Sequence, residues 1–459
     1  MNQLTNRTYD EIAIGESATL VRTLTREDIA AFAGLSGDIN PAHLDGEYAA
    51  QSIFHDVIGH GLWTGTLVST LLGTKLPGPG TIYIAQSFSF RRPVKIGDVL
   101  NVSITVKDKS DKGSRVIFDC AATNTDGECV LEGEAEVMAP RKRISMPMPE
   151  LPRILLAERG DRLKDLIDSV EDLPPLKTAV VHPVDEGSLV GALDAADRAI
   201  ILPTLIGPEL KIRAAAEAAG RDITSLPIID TPHSHAAGEL AAQMAGRGEV
   251  EAIMKGALHT DEVLAPALSR ENGLRTERRV SHCFVMDAPG YHKLLIFTDA
   301  AVNITPTLAH KADILANAGD LARALGVASP KAAILSAIET VNAEIASTLD
   351  AAALCKMVDR RQIKGLIADG PLAFDNAISK DAAITKGIAS EVAGDPDIIL
   401  VPDMVSGNML AKQLDYLGGA VAAGIVLGAR VPIILTSRAE GVLPRLASCA
   451  VARRVSWTE

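Results

Sequence analysis

The run Ser36-Gly37-Asp38-Ile39-Asn40-Pro41-Ala42-His43 sets two proton-moving side chains, Asp38 and His43, five residues apart with a proline between them. Gly37 takes backbone angles that other residues resist. Pro41 fixes its own φ and pushes Asn40 toward extended geometry. The run is therefore predicted to be irregular rather than helical, and an irregular segment can aim both side chains at one point. Alone it reads as a surface turn, since Ser, Gly, Asp, Asn and Pro are ordinary turn residues. Its neighbours change that reading.

Upstream, Ala18 to Leu24 predicts a strand. Thr25 is an N-cap for a helix over Arg26 to Leu35, with Glu27 and Asp28 near its N-terminus. Downstream, His60-Gly61 opens a helix to Lys75, ended by Pro77-Gly78-Pro79-Gly80. Gly61, Gly65, Ser69 and Gly73 recur every four positions on one face, where another backbone can approach closely. Strands follow over Thr81–Phe90, Val99–Asp108, Ser114–Thr123 and Cys129–Val137, the last two joined by a turn at Thr125-Asp126-Gly127. One long helix and a run of antiparallel strands predict a sheet wrapped around a helix. A helix N-terminus at Gly61 offers unpaired N–H groups to a developing oxyanion. Arg91, Arg92 and Lys95, at the end of the Phe90 strand, can meet phosphates or simply solvate that end.

The whole chain has 459 residues, enough for two or three domains. It is 47% hydrophobic and 22% charged, as expected of a globular protein, and its 3% aromatic content demands an aliphatic core. A formal charge of −13 argues against nucleic-acid or anionic-membrane partners. Cys120, Cys129, Cys283, Cys355 and Cys449 are scattered and odd in number, neither a disulfide framework nor a zinc site. Cys283 reads as a buried small hydrophobe. With no signal-peptide pattern and no apolar run of spanning length, the expected compartment is cytoplasmic.

The pattern Leu35 to Asp45, then His60-Gly61, then Phe90 to Asp98, resembles the MaoC-like R-specific enoyl-CoA hydratases, over nearly all of residues 10–140. The resemblance implies an α+β hot-dog domain, the helix wrapped by antiparallel sheet, usually paired into dimers. It implies Asp38 and His43 as the catalytic pair, Gly61 as the backbone N–H that polarises the thioester carbonyl, and Ser69 as a helix serine lining the site. Arg92 is the candidate for substrate phosphate. Adding water to a 2-enoyl thioester needs a base for the water, an acid for the α-carbon and an oxyanion donor.

Residues 141–155, with prolines and the triplet Arg141-Lys142-Arg143, read as an extended, solvated linker. Beyond it the grammar changes. Short apolar runs, among them Thr178–Val181, Ala252–Met254, Gly365–Ala368, Asp397–Val401 and Val431–Leu435, alternate with alanine-rich helices. This predicts a two-lobed α/β domain with parallel doubly wound sheets over 156–459. Polar sets beginning at Asp369, Pro402 and Thr436 each follow an apolar strand, and are expected together at one carboxyl edge of the sheet, where open α/β sheets bind ligands.

Residues Thr178 to Ala452 resemble the phosphate acetyl/butyryl transferases, through Met254 to Thr260, Thr298 to Asn303, the Asp369-Gly370-Pro371 run, Ser406 to Asn408 and Ser437-Arg438. The resemblance implies direct attack of the CoA thiolate on an acyl phosphate, in a cleft between lobes. It implies Ser437 and Arg438 as catalytic, Gly256 and Thr260 on phosphate, and Asp299, Asn303, Asp369, Gly370 and Asn408 as substrate-binding. Acetate-specific members carry an acid further past the Ser-Arg pair. Here Glu440 is the only acid nearby and Pro444-Arg445 follow, which points to the butyryl-type branch and leaves the thiol's base unassigned.

The expected function is bifunctional: hydration of 2-enoyl-CoA to (R)-3-hydroxyacyl-CoA, and reversible acyl transfer between CoA and inorganic phosphate. The expected ligands are CoA thioesters and phosphate as substrates, with no tightly bound cofactor, no metal and no nucleic-acid or membrane partner, in a homo-oligomer. Two alternatives stay open: a C-terminal half that only senses acyl-CoA or oligomerises, and a hot-dog thioesterase or acyl-binding module in place of the hydratase. A decarboxylating dehydrogenase would need a dinucleotide fingerprint, and none is present.

Overall fold

The computed structural model describes residues 3–149, 159–435 and 441–458. The chain divides into two compact units, Met1–Leu156 and Ala157–Glu459.

In the first unit, five antiparallel strands run side by side in the order Ser17–Thr23, Val99–Ser110, Arg115–Thr123, Cys129–Met138, Ile82–Phe90. Val102, Ile104 and Val106 alternate with more exposed residues along their strand, so one face of the sheet is apolar. Leu67, Val68, Leu71 and Leu72 of the helix Gly61–Thr74 fill that face, in one cluster with Phe118, Ala135 and Val137. Register slips at Tyr83/Ala85 and Val106/Asp108 are bulges, which bend the strands around the helix. This is the hot-dog fold predicted from sequence. The hairpin at 124–128 also forms, with Gly127 at φ +79° donating to the Asn124 carbonyl.

The small-residue stripe behaves differently from its expectation. A Cβ on Gly61 or Gly65 would lie 3.4 Å from the rings of Phe90 or Phe88, so two turns pack against the strand. Ser69 and Gly73 are exposed, and nothing lies within 4 Å of a Cβ built on Gly73. The strand no longer follows the helix there.

The stretch read as a solvated linker is docked at its start. Ser145–Pro147 pairs with Gln3–Thr5, Arg141 donates to Ser114 Oγ at 2.7 Å, and Arg143 meets Glu11 at 2.6 Å. Residues 150–155 of that stretch lie outside the described residues.

The second unit holds one eleven-stranded sheet. Ile228–Asp230, Ile201–Gly207, Leu176–Val181, Ala252–Lys255 and Ile433–Ile434 form one parallel stretch. Leu295–Thr298, Ile398–Leu400, Lys331–Leu335 and Ile367–Leu372 form another. Val421–Leu427 and Ser281–Asp287 join them through three antiparallel pairings. Helices cover both faces, and successive strand residues alternate between them. Met254, Ile425 and Ile434 belong to one cluster, and Ile253, Val426 and Ile433 to another across the sheet.

Three reversals make the two parallel stretches run in opposite directions. Their carboxyl ends therefore lie at opposite edges, which corrects the expectation that all three polar sets share one. The strand over Ile433–Ile434 leads out at one edge; Thr298 and Leu400 end at the other. A second correction concerns Asp369-Gly370-Pro371, expected just past a strand. These residues sit inside Ile367–Leu372, an outer strand, where a proline removes no needed ladder bond. Among the described residues, no helix is long and apolar enough to cross a membrane.

Candidate active sites

In the first unit the helix Arg26–Ser36 starts on a Thr25/Asp28 capping box and ends at Gly37, whose φ of +76° turns the chain out. Asp38 Oδ1 then accepts from Asn40 N at 3.2 Å. Asn40 Oδ1 accepts from Ala42 N and starts a four-residue helix, Pro41–Leu44, with Pro41 in its first turn. So the run predicted to be irregular carries His43 on a helical turn, because Asn40 and Pro41 together form a helix start.

Three histidine contacts define the geometry. His43 Nδ1 donates to the Ile58 carbonyl at 2.8 Å, which leaves its Nε2 with the lone pair. His60, buried, donates from Nε2 to the Asp38 carbonyl at 3.0 Å. The two rings lie against each other with centroids 3.9 Å apart and planes tilted by 34°. One ligand-type atom from each of Asp38, His43 and His60 lies within 4.8 Å of the others. Ile58 and Gly59 are held by Lys95 and Val94 opposite, and a Cβ on Gly59 would strike Leu24 at 2.6 Å. His60 stands at the N-cap position of the Gly61 helix but its side chain makes no capping bond, so the first N–H groups of that helix are left free beside the pair.

A cavity of 330 Å³ adjoins this group, lined by Phe54, Ile58, His60, Gly61, Phe90 and Arg92 among others. Arg92 also meets Glu128 at 3.1 Å, Arg91 meets Glu132 at 2.6 Å and Lys95 meets Asp56 at 3.7 Å. Ser69 is exposed, eight residues along the helix from Gly61 and thus about 12 Å away. His60 is the residue whose weight the sequence understated. It lies against His43 and anchors the Asp38 backbone, and only its adjacency to Gly61 hinted at this.

In the second unit, Gly256 follows Lys255 at the edge to which Ile433–Ile434 runs. A Cβ there would lie 2.4 Å from the Val181 carbonyl oxygen and 2.8 Å from that of His182, so only glycine fits. Thr260 begins the next helix, behind His259 at its N-cap. Ser437 and Arg438 lie outside the described residues, as does Glu440.

Asp299 and Asn303 belong to the opposite edge. Asp299 is buried and accepts from Ala301 N, Val302 N and Asn303 N at 3.0–3.1 Å, and from Asn303 Nδ2 at 2.5 Å. Asn303 in turn binds Arg279 and the Val280 carbonyl. Both side chains are committed to shaping their own turn. Asp369 is half-buried and accepts from Gly370 N, while a Cβ on Gly370 would strike the Ile334 carbonyl oxygen at 2.7 Å. Asn408 donates to the Ala300 carbonyl at 3.2 Å. It also lines a 610 Å³ cavity with Phe284, Met286, Lys412, Ala422 and the stretch Gly441 to Pro444. That cavity joins Asn408 to the chain leaving the Ser437-Arg438 run, which the sheet edges alone do not.

Two histidines escaped the sequence reading. His282 is fully buried, with neither ring nitrogen hydrogen-bonded among the described residues, and burial pushes its pKa down to about 4 against the pull of Asp299. His182, at the end of the strand Leu176–Val181, is the other. Cys283 is buried, as predicted, and burial raises its thiol to about 12. A further cavity, of 710 Å³ around Arg278, Arg323 and Arg430, holds none of the predicted site residues.

The folds and sites thus define a two-part enzyme: a hot-dog domain with a carboxylate–histidine pair, and an α/β acyltransferase-type domain. A family model described as MaoC like domain matches residues 12–126, and one described as phosphate acetyl/butaryl transferase matches residues 235–452. The phosphate acetyltransferase of Rickettsia felis is 55% identical over 296 residues, 64% of this chain and 85% of that one. The phosphate butyryltransferase of Clostridium acetobutylicum is 38% identical over 292 residues, 64% of this chain and 97% of that one. Among solved structures, a branched-chain phosphotransacylase from Enterococcus faecalis superposes with a TM-score of 0.55 at 26% identity, covering 61% of this chain and 99% of that one. The chain belongs to the phosphate acetyl/butaryl transferase family and carries a MaoC-like domain ahead of that part.

Proposed function

We propose that the first unit hydrates a 2-enoyl-CoA to the (R)-3-hydroxyacyl-CoA and that the second transfers an acyl group between CoA and inorganic phosphate. The observation that carries the hydratase reading is the bond from His43 Nδ1 to the Ile58 carbonyl. With that proton committed, Nε2 accepts a proton from water, which Asp38 helps to hold. The free N–H groups at Gly61 receive the charge that builds on the thioester oxygen as water adds to the β-carbon. A proton returned to the α-carbon completes the addition. Arg92, at the mouth of the cavity, exchanges Glu128 for a CoA phosphate.

For the transferase, the thiol sulfur attacks the acyl carbon and the bond to phosphate breaks. Arg438 neutralises the departing phosphate, Ser437 hydrogen-bonds the transition state, and Gly256 and Thr260 hold phosphate at the strand end. Asn408 contacts substrate in its cavity, while Asp299, Asn303, Asp369 and Gly370 shape the opposite edge. CoA thioesters and phosphate are substrates, and no bound cofactor takes part. The 55% against 38% identities favour an acetyl over a butyryl group, against the branch suggested by Pro444 and Arg445. Among the described residues the strand Ile82–Phe90 has one unpaired edge, and it exposes Ile82, Ile84 and Phe90, which favours a homo-oligomer closed through that edge.

Incubating the full chain with saturated and 2-enoyl CoA thioesters, with and without phosphate, tests both halves by product mass. Crotonyl-CoA gains one water and acetyl-CoA yields acetyl phosphate only with phosphate present. Absence of either product removes that half of the reading.

A further inference from the structure

The transferase half needs a base for the thiol, and the carboxyl edge at Gly256 presents one. His182 directly follows the strand Leu176–Val181, with a φ of +56° that a non-glycine residue seldom adopts. Its carbonyl accepts from Ala257 N, and its own N–H donates to the Ile206 carbonyl, so the backbone is pinned on both sides. Gly207 lets the backbones approach closely: a Cβ there would lie 3.2 Å from His182 Cα, with the ring Nδ1 in ordinary contact at 3.5 Å. The residue is 9% exposed; Nδ1 is buried without a hydrogen-bond partner among the described residues, and Nε2 is not among the buried atoms left unpaired. Thr231 Oγ1, on the chain that binds the Gly207 carbonyl, is a second buried polar atom without a partner among the described residues. The strand before His182 pairs with Ala252–Lys255, and that strand with Ile433–Ile434, so His182 stands about 10 Å across two strands from Leu435.

We propose that His182 is the proton acceptor for the CoA thiol, an inference that rests on the transferase reading. Nε2 takes the thiol proton as the sulfur lone pair attacks the acyl carbon. The carbon–oxygen bond to phosphate then breaks, and the leaving phosphate takes the proton back from the imidazolium. Of the other histidines at this edge, His233 Nδ1 caps the helix Ser234–Gly246, His259 stands at the N-cap of the helix Thr260–Ala267, and His235 lies exposed on the surface, 3.6 Å from Glu262. Burial keeps His182 below the ordinary imidazole value, and Lys211 and His233 add to that, while Glu262 and Asp185 oppose it. The ring is therefore neutral, with a lone pair to offer, at neutral pH.

The test uses the full chain, acetyl phosphate and CoA, followed by thioester absorbance. His182→Asn suits the left-handed backbone, which asparagine tolerates. Its kcat is expected to fall about 100-fold at pH 7 with KM for acetyl phosphate unchanged, and the deficit to shrink toward pH 9 as the thiol ionises unaided. His182→Gln should behave the same way, and matching melting temperatures show that both fold. Independently of any variant, the wild-type rate should fall in acid, below the ordinary imidazole range, since burial lowers the proton affinity of His182. A wild-type rate flat to pH 4.5, or variants with wild-type kcat and pH profile, would overturn the assignment. A wild type that makes no thioester overturns the transferase reading itself.

Discussion

His43 Nδ1 donates to the Ile58 carbonyl at 2.8 Å, and Ile58 is held in turn by a bridge to Lys95. The tautomer of the candidate base is thus set by a backbone carbonyl fifteen residues away, beyond the sequence run that contains it. His43→Ala and Asp38→Asn should each lower crotonyl-CoA hydration by about 10²–10⁴. Loss of enoyl absorbance measures this. Unchanged rates in both variants would end the case for the pair.

Arg438→Ala should abolish phosphate-dependent release of CoA from acetyl-CoA while leaving crotonyl-CoA hydration intact. Normal turnover in this variant would refute a phosphate-binding role for Arg438.

Gly256→Ala should impair the transferase selectively. The new Cβ would fall between the carbonyl oxygens of Val181 and His182, and the strand ends must part to admit it. Overpacking of this kind costs about 1–3 kcal/mol. Where that strain is carried into the transition state, acetyl transfer drops about 5- to 150-fold, with hydration unchanged. Equal transfer rates would show that the edge yields freely.

Asp299→Ala should act on stability. It leaves the N–H groups of Ala301, Val302 and Asn303 and the Asn303 amide without their acceptor. Stranding buried donors costs about 3 kcal/mol. Chemical denaturation should show it as a lower midpoint. A variant as stable as wild type but dead in transfer would instead make Asp299 a direct ligand.

Asp395 gives a pH-dependent prediction. Burial raises its proton affinity, but Lys331 and Lys293 outweigh that and hold its carboxyl well below the usual range. A depressed folded-state pKa contributes stability above the unfolded value of about 3.9, and loses it as pH falls below that. Asp395→Asn should therefore be less stable than wild type at pH 7, by about 1 kcal/mol after solvent screening, and the gap should close toward pH 2. A gap that persists in acid would assign the effect to packing.

Much was legible locally. Thr25 and Asp28 cap the helix where the residue pattern put it, and Asp126-Gly127 turns the hairpin, because capping and turn chemistry depend on near neighbours. Strands of alternating polarity in the first unit were found to within a residue or two. Lys331–Leu335 and Val421–Leu427 were missed, since alanine-rich strands buried on both faces have no period and read as helix. Asn40 and Pro41, which by themselves predict a break in regular structure, begin a helical turn.

The sequence alone determined the two fold classes and the chemistry-bearing runs, because these rest on local patterning and on motifs a few residues long. Only the tertiary structure decided how those runs meet. It laid His60 against His43 and committed Asp299 to its own turn. Through three antiparallel pairings in the sheet, it sent the strand ends at Gly256 and Asp299 to opposite edges. It also put His182, which no motif marked, beside Gly256, since the order of strands in a sheet follows long-range pairing that no short window of residues contains.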